Sequence, residues 1–166
     1  QVFYTKQTVL ITASSGTGLW EAAARNCIAK KALTCDNGAF ASRFSDVVGL
    51  NGKEMEVLSV PWGQPVLPEQ VIERLATGEF DAVTLVHNET STGVTSPIKE
   101  IAQAIRALPN GQDIMILVDS VSGLAGARIE MDAWDLDVVL ASSQKAFALP
   151  PGLAFCAVSD RAMAKA

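Results

Sequence analysis

Lys145, Asp119 and a Ser/Gly-rich turn at residues 14–18 are the places where this chain carries groups suited to chemistry. Lys145 follows the apolar run 138–141 and stands beside Ala146-Phe147-Ala148-Leu149-Pro150-Pro151. An amine in apolar surroundings gives up its proton more readily and serves as nucleophile or base; on an open surface the same side chain is a snorkelling cation. Asp119 closes the apolar run 114–118, where a carboxylate either caps the next turn or meets a ligand. Ser14-Ser15-Gly16-Thr17-Gly18 leads into an Ala-rich helix, so its backbone N–H groups can form a plain cap or hold a phosphate with help from the helix dipole. The turn lacks the spacing and lysine of a P-loop, and Glu21 stands where a dinucleotide fingerprint has its third glycine.

The elements that position these groups alternate. Residues 8–13 read as a β-branched strand, 18–31 as an Ala-rich helix, 33–35 as a short strand, 39–48 as a helix after the turn Asp36-Asn37-Gly38, and 54–60 as a strand. Pro68 opens a helix to about residue 76, and 82–87 is the next strand. Ser96 is a cap with Pro97 at the first helical position, and Ile98, Ile101, Ala102 and Ile105 give the apolar face of a helix ending near Leu108. The run 114–118 is apolar at every position, as a central parallel strand is. Residues 138–141 and 154–158 are further strands, and Asp160 starts a last helix.

Strands joined by helical crossovers predict an α/β chain with one open, mostly parallel sheet and helices on both faces. Ligands of such sheets sit beyond the carboxyl ends of the strands. Ser15, Asp119 and Lys145 all fall on that edge, with room for one helical crossover and a strand between the last two. Between the first helix and the second strand, Cys27-Ile28-Ala29-Lys30-Lys31-Ala32 holds no Gly or Pro. The helix must therefore end early or the connection must be tight.

Composition narrows the partners. The 166 residues are 49% hydrophobic, with 13 basic and 18 acidic side chains for a net charge of −5. That is one domain with a substantial core and no basic footprint for nucleic acid or an anionic membrane. No apolar run approaches the roughly 20 residues of a membrane span, and a small molecule is the expected partner. Cys27, Cys35 and Cys156, without CxxC spacing and with His87 as the one histidine, make no zinc site. They read as reduced thiols of an intracellular, cytoplasmic protein. The chain opens Gln1-Val2-Phe3 without an initiator Met or a signal-peptide pattern, which reads as a cut inside a longer protein.

A phosphate cradle, a strand-end carboxylate and a lysine after a later strand are together what pyridoxal phosphate needs. The cofactor requires an anion site, an Asp to keep its pyridine nitrogen protonated, and an amine for a Schiff base.

Four ordered strings carry a resemblance. They are Ser15-Gly16-Thr17-Gly18-Leu19-Trp20-Glu21-Ala22-Ala23, His87-Asn88-Glu89-Thr90-Ser91-Thr92-Gly93-Val94, Leu117-Val118-Asp119-Ser120-Val121-Ser122-Gly123, and Ser142-Ser143-Gln144-Lys145-Ala146, the last followed by Pro150-Pro151-Gly152-Leu153. The chain resembles the class V aminotransferases, in particular the serine-glyoxylate and alanine-glyoxylate (serine-pyruvate) members, over essentially its whole length and part of theirs. The resemblance implies the fold-type I large domain, residues 1–166, without the family's N-terminal segment and C-terminal small domain. It also implies transamination between serine or alanine and glyoxylate or pyruvate, and a homodimer in the full-length protein. By the same resemblance Lys145 matches the lysine that bonds the cofactor and Asp119 the partner of its ring nitrogen. Ser15, Gly16 and Thr17 match the phosphate-binding turn, with Gln144 also reaching the phosphate. Thr90 matches a hydroxyl residue near the cofactor, Val121 the residue packed on one ring face, and Phe40 the aromatic residue on the other, where many relatives have Trp.

Other assignments remain open at this level. The chain is also readable as a non-catalytic cofactor-binding core, since the family's substrate-carboxylate arginine lies in the C-terminal domain and none of Arg25, Arg43, Arg74, Arg106, Arg128 and Arg161 matches it. Class V includes cysteine desulfurases and kynureninases, although Cys156 sits inside a strand. A nicotinamide cofactor would use Asp36 as ribose ligand but meets the wrong glycine pattern. His87 has no direct catalytic role in the resemblance, because the lysine carries the proton transfers. Trp20, Trp62 and Trp134 read as packing residues, and Asp132, Asp135 and Asp137 as a solvated loop and strand start.

Overall fold

The computed structural model describes residues 2–166; Gln1, on which the reading of a cut inside a longer protein partly rests, lies outside the described residues. The chain runs β1 (Thr8–Thr12), α1 (Gly16–Cys27), β2 (Lys31–Asp36), α2 (Ala39–Leu50), β3 (Glu54–Ser59), α3 (Pro68–Leu75), β4 (Ala82–Val86), a small hairpin β5 (Asn88–Glu89) and β6 (Val94–Thr95), α4 (Ile98–Arg106), a 3₁₀ turn (Gly111–Asp113), β7 (Met115–Asp119), β8 (Val138–Ser142), β9 (Ala154–Val158) and α5 (Asp160–Lys165). Seven strands form one sheet in the order β1-β9-β8-β7-β4-β2-β3. From β8 to β3 all neighbours are parallel, while β9 is antiparallel to both β8 and β1. β1 thus points the same way as the parallel strands and ends on their edge. The expected mostly parallel sheet with helices on both faces is the observed one.

Strands β4, β7 and β8 are buried at every position, so alternate residues feed two cores. Met115, Leu117, Val138 and Leu140 pack with Leu19, Trp20, Ala23 and Phe44 of α1 and α2. Val83, Leu85, Ile116, Val118, Val139 and Ala141 pack with α3 and α4 through Val71, Leu75, Ile101 and Ile105. The period of two that assigns these faces also assigns the strand-end residues. Val86, Asp119 and Ser142 follow their strands on the α1 side.

Several expectations are corrected. α1 stops at Cys27 rather than near Lys31. Its exit needs no glycine because the Asp81 carboxylate, at the start of β4, accepts the N–H groups of Ala29, Lys30 and Lys31 at 2.9–3.0 Å, while Lys53 Nζ takes the carbonyls of Arg25 and Ile28. Ser96 is not the cap of α4; Pro97 holds that position, and the Ser96 hydroxyl accepts from Val66 N–H and lies 3.5 Å from Asn37 Nδ2. No helix joins Asp119 to β8. Residues 120–137 cross as successive turns closed by bonds such as Leu124 N–H to Ser120 O, and Leu124, Ile129, Met131 and Leu136 still drive them onto the α3/α4 core. Trp62 is 61% exposed and lies outside the core.

Asp137 is not solvated. It is fully buried and joins Arg106 Nη2 at 2.6 Å, Arg161 Nε at 2.8 Å, the Ser159 hydroxyl at 2.9 Å and the Ile116 N–H at 2.8 Å. Asp135 pairs with the same two arginines, and Asp132 accepts from the Thr5 hydroxyl and Lys6 N–H, tying down the N-terminal segment. Removing one partner of a buried ion network leaves the other charge uncompensated, which costs about 3–5 kcal/mol. Asp137→Ala is expected to lower the urea-unfolding free energy by that amount, whereas Glu73→Ala on the exposed face of α3 should stay within about 0.5 kcal/mol of the parent.

Candidate active site

The strand ends converge on a cavity of about 190 Å³. The nine residues matched to a cofactor site by the resemblance line it: Ser15, Gly16, Thr17, Phe40, Thr90, Asp119, Val121, Gln144 and Lys145. The same wall includes Trp20, Val86, Asn88, Ser122 and Ser142, which sequence reading did not select for the site. Val86 and Ser142 could have been found from strand periodicity, since they fall with Asp119 on one face of three neighbouring strands.

Each side is built by a separate device. At the mouth of α1, Ser15 is the N-cap and its hydroxyl accepts from Gly18 N–H at 3.3 Å, and Gly16 and Thr17 of the first turn line the cavity. Gly16 is required by close approach, because a Cβ there would lie 2.6 Å from Val121 Cγ2. α2 presents Phe40, and the β5–β6 hairpin caps that helix from outside. The buried Glu89 carboxylate accepts from Ala41 N–H at 2.9 Å, and the Ser91 hydroxyl from Ala39 N–H at 2.9 Å. Asp36, the residue a ribose would need, is spent on Gly38 N–H and the Ser42 hydroxyl.

Gln144 and Lys145 stand on the exposed loop between β8 and β9. Its base is pinned by the buried Ser143, whose N–H reaches Leu153 O at 3.0 Å and whose hydroxyl reaches Pro150 O at 2.7 Å. The expected apolar setting of Lys145 is not found. Leu149 is half exposed and Phe147 turns away to Phe155, so the neighbouring run leaves the amine in solvent at the cavity rim.

Asp119 is the buried charge of the site. Its Oδ1 accepts from Val121 N–H at 2.6 Å and its Oδ2 from Trp20 Nε1 at 2.7 Å. Burial pushes its carboxyl up to about 6, with Glu89 adding to the rise and the two donors and Lys145 opposing it. Ser142 Oγ and Asn88 Oδ1, also on the wall, are buried without a partner. Buried polar atoms are ordinarily satisfied, so a ligand with hydrogen-bonding groups fits here. His87 lies outside the cavity, its Nδ1 3.2 Å from Ser120 Oγ, and burial drops its imidazole to about 4. Cys27, Cys35 and Cys156 are free and buried. Among the described residues no helix is long and apolar enough to cross a membrane.

Comparison with known proteins finds a matching family and similar structures. The profile of the aminotransferase class-V family matches residues 38–166. A serine–glyoxylate aminotransferase of Methylorubrum extorquens is 37% identical over 96% of this chain and 40% of its own length. A Synechococcus protein named as the small subunit of a soluble hydrogenase is 39% identical over 95% of this chain and 42% of its own. The crystal structure of an alanine–glyoxylate aminotransferase from Nostoc superimposes with a TM-score of 0.90 at 30% identity, covering 98% of this chain and 43% of that one. The chain therefore spans about two fifths of the relatives it matches.

The two shifted groups give opposite pH dependences. Asp119 has a folded value raised from 3.8 to about 6, so its contribution to stability is present below 3.8 and is lost as pH rises to 6. His87 has a folded value lowered from 6.5 to about 4, so its contribution is present above 6.5 and is lost as pH falls to 4. Over pH 4–6 the slopes oppose. Asp119→Asn should make folding stability rise with pH across that window more steeply than in the parent, and His87→Gln should make it fall, as read from urea melts at three pH values.

Proposed function

The chain belongs to the aminotransferase class-V family, and from that premise we propose that it is the cofactor-binding large domain of a pyridoxal-phosphate enzyme. The proposed reaction moves an amino group from serine or alanine to glyoxylate or pyruvate, in a protein that is a homodimer at full length. The observation that carries this reading is the convergence of the Lys145 amine, the buried Asp119 carboxylate and the α1 N-terminus on one cavity. Family members use pyridoxal phosphate, which supplies an aldehyde and a cationic aromatic ring that accepts the electron pair released when a substrate carbon loses its proton.

The chain's own residues would divide the work. Ser15, Gly16 and Thr17 would bind the phosphate with first-turn amides and hydroxyls, assisted by Gln144. Phe40 and Val121 would hold the ring between them, and Thr90 would offer a hydroxyl at the rim. Asp119, fixed by Trp20 and Val121, would keep a proton on the ring nitrogen. Lys145 Nζ, on a loop and in solvent, would take the substrate α-proton and return it to the neighbouring carbon.

Among the described residues, no arginine lines the cavity. Arg106 and Arg161 are both committed to Asp137. This favours a second reading in which the chain binds cofactor without completing a substrate site. A desulfurase reading has less support, because Cys156 lines a separate groove beside α1 and α5 and burial pushes its thiol up to about 12.

Incubation with pyridoxal phosphate, borohydride reduction and peptide mapping should place a reduced adduct on Lys145, and Lys145→Ala should show none. An adduct that persists in the variant, or maps to Lys31 or Lys53, would overturn the assignment. Serine-to-pyruvate transamination measured on this chain beside the full-length protein separates catalysis from cofactor binding alone.

A further inference from the structure

Trp20 has the look of a core residue. It is 3% exposed, and its ring stacks on Phe44 with centroids 5.3 Å apart and planes 13° apart. One atom does something else. The indole Nε1 donates to Asp119 Oδ2 at 2.7 Å, across the gap between α1 and the end of β7. An indole nitrogen can only donate, so it favours the charged form of a carboxylate over the neutral one. With Val121 N–H on Oδ1 at 2.6 Å, each Asp119 oxygen has one fixed donor, and the plane of the carboxylate is set before any ligand arrives.

The surroundings make that donor matter. Asp119 is 4% exposed, and charged groups face it from two elements: Glu89 on β5, which disfavours its ionisation, and Lys145 on the loop after β8, which favours it. His87 precedes the hairpin and is held neutral by burial, with its side chain turned to Ser120. Lys145 is exposed and mobile in role, so the buried donors that hold the Asp119 anion are Val121 N–H and the Trp20 indole. Any residue but proline at position 121 supplies the backbone donor; the indole belongs to Trp20.

We propose that Trp20 is a positioning residue for Asp119, its indole N–H orienting the carboxylate and holding it ionised so that the cavity presents a fixed anion to a cationic ring nitrogen. The role of that anion rests on the functional reading above; the coupling of Trp20 to Asp119 does not. Phe44 enters as the support that keeps the indole plane in register with the carboxylate.

The coupling is read on the unloaded chain. In ¹⁵N-labelled protein the Trp20 indole resonance should titrate with a midpoint near 6, while exposed Trp62 shows no such step, and the step should vanish in Asp119→Asn. With ¹³C-labelled Asp side chains, Trp20→Phe, which keeps an aromatic ring against Phe44, should raise the Asp119 midpoint by about one pH unit, a tenfold change in ionised-to-neutral ratio. Phe44→Leu, which leaves the N–H in place, should not raise it by as much. The visible absorption of bound pyridoxal phosphate should then change with pH at a midpoint displaced by the same unit in Trp20→Phe. A Trp20 indole signal that does not titrate with Asp119, or equal Asp119 midpoints in the parent and a folded Trp20→Phe, would overturn the proposal. Absence of a Lys145 adduct would remove the functional reading instead and leave these unloaded-chain measurements intact.

Discussion

Three neighbouring parallel strands, buried on both faces, impose the constraint on which the rest of the molecule depends. In β4, β7 and β8 every side chain is buried on one of the sheet's two faces, and the two-residue period leaves no freedom over which. Register then fixes neighbours across the sheet, with Val86 beside Asp119 and Asp119 beside Leu140. A polar residue that ends such a strand is therefore aimed by the whole sheet, with the precision of its packing. Asp119 cannot turn away without moving β7, and α1 can meet it with Trp20 because both lie on the face that Leu117 and Leu140 fill.

The two edges of the sheet treat buried carboxylates in opposite ways. At the amino ends, Asp81 accepts three backbone N–H groups and pairs with Lys165, and although burial alone would raise its carboxyl, these partners pull it below its ordinary value. Asp137 beside it in architecture is closed by two arginines. At the carboxyl ends, Asp119 has two donors and no ion pair, faces the anionic Glu89, and is pushed up instead. Unpartnered Ser142 Oγ and Asn88 Oδ1 accompany it. Satisfied edges serve folding. An edge left short of partners is stable only because the rest of the sheet holds it in place, and such a shortfall is where a ligand gains most by binding.

Local signals in the sequence reveal what is local in the structure. The seven strands of the main sheet, α3, the apolar face of α4 and the strand-end groups Ser15, Asp119 and Lys145 were legible because each depends on its own neighbours in the chain, whereas the β5–β6 hairpin was not read and Phe40, Thr90, Val121 and Gln144 came only from the resemblance. What escaped depends on distant partners. Asp137 reads as one of three acids in a polar loop until Arg106 and Arg161 are brought to it. The end of α1 looks unpunctuated because its cap, Asp81, is supplied from β4. Glu89 gives no hint that it caps α2, and Trp20 shows its apolar ring in a helical pattern but not the single donor that leaves the core. The crossover 120–137 lacks helical periodicity, and its few apolar residues, Leu124, Ile129, Met131 and Leu136, are enough to bury it without a helix.

The proton-carrying role proposed for Lys145 calls for a different scaffold from the one that holds Asp119. A group that orients charge must not move, and Asp119, Val86 and Ser142 are held by a sheet in which each is locked by its strand. A group that carries a proton between two atoms must reach both, and a side chain on a strand cannot. Lys145 is placed three residues past β8, on a loop whose root is clamped by Ser143 to Pro150 and Leu153 while its rim stays in solvent. The clamp limits the loop's excursions; the absence of apolar cover over the amine preserves its reach. Burying Lys145 among apolar side chains would have fixed it in one place and cost it that reach.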